Sequence, residues 1–427
     1  MDEWRNWSGS VVGHPSERRS PRTPAELSAV IRDAPKVRMV GAGHSFTPLC
    51  ETHGVLLSMA AYEGAVEIAP DRKTVWAPAG WDLQRLTDAL WAEGLSLINQ
   101  GDINAQSLAG AAATGTHGTG ATLGSLATQA CGFRLMLADG ELVECSADLR
   151  PQLYQAQRLS LGLFGVVTEI RIHVLPAYHL EERLDRRPLG EVAERLDDLA
   201  ASHRHMEFFI FPYSDQVIFK TLHPAEPEGN PRIGNDLDEG VFRIACDVGA
   251  AVPPLVATLQ QLMMRLSGGA KRQVGPAHQI FPSERAIRFE EMEYELPRGN
   301  GLDALKETIA YIRKRRLPIA FPLEFRLTAG DDIWMSPFNK GPAASISLHQ
   351  YAKMPWRQSF AEIEPIFRAA GGRPHWAKRH SLKPADVQRL YPKTPEFLAV
   401  REAVDPDQTF VNAHLAQLFN INPRPRP

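Results

Sequence analysis

Cysteine is scarce in this chain of 427 residues: four, at positions 50, 131, 145 and 246, with no C-x-x-C pair among them. That pattern excludes a disulfide scaffold and a zinc site built from paired thiolates. Long apolar runs are missing as well. None approaches the roughly 20 residues that a membrane-crossing helix needs, so no membrane segment is expected. Charge of one sign is not in excess, because the formal net charge is −3. Bulk attraction to nucleic acid is therefore excluded, and the basic run Arg313–Arg316 reads as a solvated helix end. The opening "MDEWRNWSGS" lacks a basic start, an apolar core and a small-residue cleavage site. No secretory signal is expected, and a cytoplasmic location is the simplest expectation. Repeats and low-complexity segments are absent.

What is present is ordinary in bulk, with 44% hydrophobic and 23% charged residues. The length points to two domains rather than one. Thr23-Pro24-Ala25-Glu26 is a capping box with proline in the first turn, so a helix is expected to follow. "KVRMV" (36–40) and "VLLSM" (55–59) read as short strands. Segments 66–68 and 74–76 read as a hairpin, as does 132–146, which has Asp139-Gly140 at its turn. A helix is expected over 81–94, and a strand over 165–176 that stops at Pro176. These elements do not alternate as the βαβ units of a doubly wound sheet do. Beyond Pro176 the pattern predicts a helix over 189–203, a strand over 205–213 and a polar loop over 224–240. Strands follow over 322–328 and 343–351, then a helix over 358–370.

Two glycine-rich loops carry the chemistry. "VGAGHS" (40–45) begins like a dinucleotide fingerprint, but Phe46 stands where the third glycine should be and no amphipathic helix follows. It also begins like a nucleophile elbow, yet Ser45 is followed by Phe46-Thr47 instead of x-Gly. The second loop lies in "NQGDINAQSLAGAAATGTHGTG" (99–120), with Gly110, Gly115, Gly118 and Gly120 among small residues. Glycines let backbone N–H groups approach an anion closely. No lysine follows Gly120, so this is not a Walker loop. Together the loops are suited to hold a pyrophosphate, although tight turns alone would explain the same glycines.

Several longer motifs occur in a telling order: "WRNWSG" (4–9), "VGAGHS" (40–45), "ATGTHGTG" (113–120), "LGLFGVVTEIRIHVLPAY" (161–178), "FRLTAGDDIWMSP" (325–337), "GGRPHWAKRH" (371–380) and "DPDQTFVNAHLAQLF" (405–419). In these the chain resembles the FAD-linked oxidases of the vanillyl-alcohol oxidase superfamily. Within it, the sugar-lactone and alditol oxidase branch is most similar, and gulonolactone and arabinonolactone oxidases above all. The resemblance implies an α+β fold: a two-part PCMH-type FAD-binding domain over 1–175 and a cap domain with an antiparallel sheet over 176–404. A C-terminal segment, 405–427, would pack back on the FAD domain.

The same resemblance implies FAD attached covalently through His44. It also implies cofactor contacts from Gly41, Ala42, Gly43, Ser45, Gly110, Thr114, Gly115, His117, Gly118 and Val167. Glu324 and Arg326 stand at i, i+2 and so share a strand face. As a bare pattern that face would be solvated, but the E-x-R pair matches the substrate pocket of the branch. Lys378 matches the cation beside the flavin N1–C2 carbonyl region, and a fixed cation there stabilises the reduced ring. His349 matches the histidine proposed as base in alditol oxidases. Those enzymes have H-x-T where this chain has His349-Gln350-Tyr351. Ser107 matches a pocket serine, or it caps the alanine-rich segment after it.

The implied reaction oxidises a carbinol of a sugar-derived aldonolactone, with oxygen or another acceptor taking the electrons. An alditol oxidase and a non-catalytic flavin-binding relative are the alternatives, and a serine hydrolase is remote.

Overall fold

The computed structural model describes residues 3–228, 232–233, 239–266, 270–283, 286–422 and 424. The architecture is mixed α+β, as expected. The first region holds a two-stranded ribbon, Trp4–Arg5 with Val12–Gly13, and two larger sheets. One is three-stranded and parallel, with Val55–Leu57 between Glu17–Arg19 and Val37–Met39. The other has six antiparallel strands centred on Val166–Pro176, which pairs with Thr74–Pro78, Leu95–Leu97 and Ala130–Met136. The hairpins expected from segments 66–68 with 74–76 and over 132–146 both form.

Local chemistry explains the first helix, Pro24–Asp33. The Thr23 hydroxyl accepts from the Glu26 N–H at 3.3 Å, and Leu27 and Ile31 lie on the buried face. The next helix, Leu83–Ala92, is capped by Asp82 and stops before Gly94 at φ +68°. The segment read as one helix over 189–203 is two, Leu189–Glu194 and Leu196–Ser202, broken at Arg195. The polar segment 224–240 lies partly outside the described residues. Its described part includes the end of strand Gln216–Ala225 and the short strand Arg232–Ile233.

The second region is built on an antiparallel sheet, nine-stranded among the described residues. Its central strands are His205–Ile210, Leu323–Thr328, Ala343–Tyr351 and Phe289–Pro297. Period-two alternation gives this sheet two different faces. Phe208, Phe325, Ile346, Tyr294 and Leu296 pack on one side, against the long helix Arg298–Arg315. Glu207, Glu324, Arg326, Ser345, His349 and Glu293 occupy the other face, and that polar face is turned toward the first region.

The chain end closes the structure. Val411, Leu415, Leu418 and Phe419 enter the apolar core that also holds Leu86, Phe133 and Ile170. Phe410 joins Leu27, Ile31 and Val37 in a second cluster. No helix among the described residues is long and apolar enough to cross a membrane.

Candidate active site

Strand Val37–Met39 delivers the chain into the loop 40–45. Gly43 adopts φ +68°, a conformation that favours glycine. The loop is gripped from the N-terminal side: Trp7 N–H donates to the Gly43 carbonyl at 2.8 Å, and Asn6 Nδ2 donates to the Ser45 carbonyl at 3.0 Å. The backbone N–H groups of Gly41 through Ser45 find no acceptor among the described residues. Consecutive unpaired N–H groups of this kind make an anion-binding concavity. Across from them stands Ser107, whose hydroxyl accepts from Gly110 N–H at 3.2 Å and caps helix Leu108–Thr114. A Cβ on Gly41 would lie 2.3 Å from the Ser107 Oγ. The two loops are therefore in contact, and only glycine fits between them.

These loops line a cavity of about 340 Å³. Arg38 lies in its wall, 3% exposed. Its guanidinium donates to the carbonyls of Leu49 at 2.8 Å, Gly162 at 2.9 Å, Phe410 at 2.7 Å and Leu161 at 2.9 Å. Burial pushes its pKa down to about 10, so it stays charged near neutrality. Among the described residues no carboxylate is within ion-pair distance of it. A cavity with free N–H donors on one loop and a buried cation in its wall has the donor set that a dinucleotide diphosphate requires.

A second, polar pocket of about 60 Å³ adjoins the first, and His44 lines both. The cap sheet supplies its far wall through register. Arg326 stands directly opposite Glu207 on one side and Ser345 on the other, while Glu324 faces Ser347. The Arg326 Nε donates to Glu324 at 2.6 Å and lies 3.7 Å from Glu207. His349 faces Glu291 across the sheet, with Nε2 3.4 Å from the carboxylate and Nδ1 3.3 Å from the Pro322 carbonyl. Lys378 binds the other Glu291 oxygen, and its ammonium lies 5.3 Å from the Phe46 ring centroid.

The electrostatics follow from these contacts. Burial raises the Glu291 carboxyl, but Lys378 and His349 outweigh it and hold the group well below the usual carboxylate range. Glu293 is lowered too, since His117 outweighs its burial. Burial lowers His117, yet Glu295 and Glu293 together carry it up to about 10, so it is an imidazolium between two carboxylates. His44 goes the other way. Burial, then the nearby Lys378, push it down to about 4 and leave it neutral. Its ring stacks on Trp7, with centroids 5.1 Å apart and planes 20° apart.

The structure thus brings His44, Glu324, Arg326, His349 and Lys378 around one pocket. It does not bring Ser107 there; that residue lines the larger cavity and caps a helix. Gly41, Ala42, Gly43, Ser45, Gly110, Thr114 and Val167 line the larger cavity with it. Three residues read as cofactor contacts stand elsewhere. Gly115 ends the helix at φ +81°, and a Cβ on Gly118 would lie 2.3 Å from the Gln100 carbonyl. His117 lines the polar pocket.

Sequence reasoning missed Glu291, Glu293 and Glu295, the acid ladder of strand Phe289–Pro297. The signal was available in the alternation E-M-E-Y-E, whose intervening Met292 and Tyr294 are core residues. Asp102 and Trp7, which also line the pocket, carry no such periodic signal.

Comparison with known proteins agrees with this geometry. The family model described as D-arabinono-1,4-lactone oxidase matches residues 170–418, and an FAD-binding domain model matches residues 15–146. An L-gulono-1,4-lactone dehydrogenase of Mycobacterium tuberculosis is 36% identical over 426 residues, covering 97% of this chain and 99% of that protein. An L-gulonolactone oxidase of Bos taurus is 29% identical, covering 98% of each. A solved structure titled solvent-stable cholesterol oxidase shares the fold, with a TM-score of 0.82 at 19% identity over 98% of this chain and 97% of that one. The chain belongs to the D-arabinono-1,4-lactone oxidase family and is an FAD-binding oxidoreductase.

Proposed function

We propose that this enzyme oxidises a carbinol of a sugar-derived aldonolactone of the gulono-, galactono- or arabinono-1,4-lactone type, and that His44 carries its FAD covalently. The observation that carries the reading is the position of His44, a neutral imidazole at the junction of the two cavities. When bound, FAD would supply the two-electron redox chemistry, with oxygen as the final acceptor and hydrogen peroxide as the second product. The N–H groups of Gly41 to Ser45 would hold its diphosphate, with the Arg38 charge in the wall of the same cavity. His349 takes the hydroxyl proton, and Glu291 beside its Nε2 stabilises the charge that results. Arg326, fixed by Glu324 and Glu207, orients substrate oxygens. Lys378 is the cation on the flavin side of the pocket.

A lactone is favoured over a linear polyol by residue 351. Tyr351 joins Phe289 and Phe321 in an apolar cluster, and its hydroxyl donates to Asp247 at 2.7 Å. The wall next to His349 is therefore aromatic, without the free hydroxyl that the H-x-T of alditol oxidases provides. All four cysteines are free, which suits a reducing, cytoplasmic compartment.

The test is anaerobic reduction of the flavoprotein by L-gulono-, L-galactono- and D-arabinono-1,4-lactone beside xylitol and sorbitol, followed by peroxide assay on adding air. Bleaching by a lactone and peroxide release are expected. Bleaching by the polyols alone would transfer the assignment to an alditol oxidase, and no bleaching across the panel would leave a flavin-binding relative.

A further inference from the structure

We infer that Trp7 is a positioning residue for the covalent attachment of FAD: its indole sets the plane of the His44 imidazole. The inference rests on the covalent reading above and concerns how this chain prepares its own nucleophile. A reactive histidine is ordinarily aimed by a hydrogen bond to its second ring nitrogen. Among the described residues, His44 has no hydrogen bond and no ion pair. What touches its face is Trp7, stacked at 5.1 Å and 20°.

Trp7 is itself held from several directions. Its main-chain N–H donates to the Gly43 carbonyl at 2.8 Å, one residue before His44. Asn6 ties the preceding position to Ser45, one residue after His44, and its Oδ1 accepts from Val11 N–H at 3.0 Å. The indole meets Phe289 and Phe46 edge-on, at 5.1 and 6.4 Å. The N-terminal turn thus brackets the loop 41–45 and lays a rigid aromatic plane on its histidine.

The geometry matters because the nucleophilic lone pair of imidazole lies in the ring plane. Fixing the plane fixes the line along which nitrogen approaches carbon, and stacking does so without consuming either nitrogen. The bond formed joins a ring nitrogen of His44 to the carbon of the flavin C8 methyl. One hydrogen leaves the methyl carbon and one leaves the imidazole, both as protons. The electron pair is taken up by the ring system and then by dioxygen, which departs as hydrogen peroxide.

The test compares wild type with W7L and W7M, which lack a flat face, and with W7F, which keeps one. Each full chain is purified with its flavin. Two quantities are read: total FAD per chain, and the share that stays with acid-precipitated protein. W7L and W7M are expected to hold FAD at the wild-type level, with the acid-stable share lowered on the order of tenfold. W7F is expected to restore most of it. Acid-stable flavin at the wild-type share in both W7L and W7M overturns the positioning role. So does loss of all FAD from both, since Trp7 would then serve binding and not attachment. A wild-type pellet without flavin overturns the covalent reading itself, and the positioning role with it. The wild-type pellet therefore tells the two failures apart.

Discussion

At the scale of single residues, the site is governed by which charges are paired. His44 is lowered to about 4 by burial and by Lys378, so its ring is predominantly neutral from about pH 5 upward. Covalent attachment of FAD to apo-protein is accordingly expected to proceed at one rate from pH 8 down to about 5. It should fall only as pH approaches 4, where the imidazole takes a proton and loses its lone pair. A time course of acid-stable flavin at several pH values checks this; a decline centred near 6.5 would mean that His44 is unperturbed. Lys378 has a second task. Glu291 and Glu293 are buried, and the lysine contacts both. Removing one partner of a buried pair leaves an uncompensated charge, at a cost of about 3 kcal/mol or more. K378M should therefore lower the thermal midpoint, and adding E291Q should recover part of the loss. A double-mutant cycle by urea unfolding measures that coupling.

Elements place these residues, and here sequence and structure can be compared strand by strand. Strand Leu323–Thr328 was readable as a strand because Glu324 and Arg326 alternate with Leu323, Phe325 and Leu327; that its charged face is buried as well came from the E-x-R resemblance, not from the alternation. Strand Phe289–Pro297 obeys the same rule, yet its run of glutamates reads from sequence as a solvated face. Periodicity reports that a strand has two faces but not what covers each. The partners that bury this one, His117 and Lys378, are 176 and 87 residues away along the chain. Ser107 shows the reverse limit. Its place before an alanine-rich helix was legible, and its contact with Gly41 across two loops was not. That contact yields a prediction. G41A should push Ser107 aside, weakening both the cap and FAD binding, while S107A alone should cost about 1 kcal/mol through the lost cap. In the double variant the 2.3 Å contact is gone and only the 3.0 Å approach to the Cβ of residue 107 is left, so FAD retention on gel filtration should exceed that of G41A alone.

Over the whole molecule, buried histidines set the response to acid. His205, His375 and His380 are lowered to about 3, and His414 and His44 to about 4, with burial the first cause in each. Each stays neutral when folded but protonates near 6.5 when unfolded. Stability is therefore lost as pH falls from about 6.5 toward 4. The loss is about 2 kcal/mol for each between pH 7 and 5. Glu207 and Asp331, each raised by burial to about 6, and His117, raised to about 10, contribute oppositely, favouring the folded state at lower pH. The lowered histidines outweigh the raised groups, so the urea midpoint should be lower at pH 5 than at pH 7; an unchanged midpoint would mean that these rings are not neutral in the fold.

Arg38 has a consequence in time. Three of its carbonyl partners lie at Leu49, Leu161 and Gly162, but the fourth is Phe410, and Val37 N–H binds the Thr409 carbonyl beside it. A ribosome emits this chain from its N-terminus, so most of the cavity wall exists long before the residues that lock it do. Cofactor capture therefore waits until Thr409 and Phe410 have emerged and packed against Val37 and Arg38. A nascent chain stalled at Val404 should emerge colourless, and flavin supply in a producing cell should limit maturation rather than synthesis.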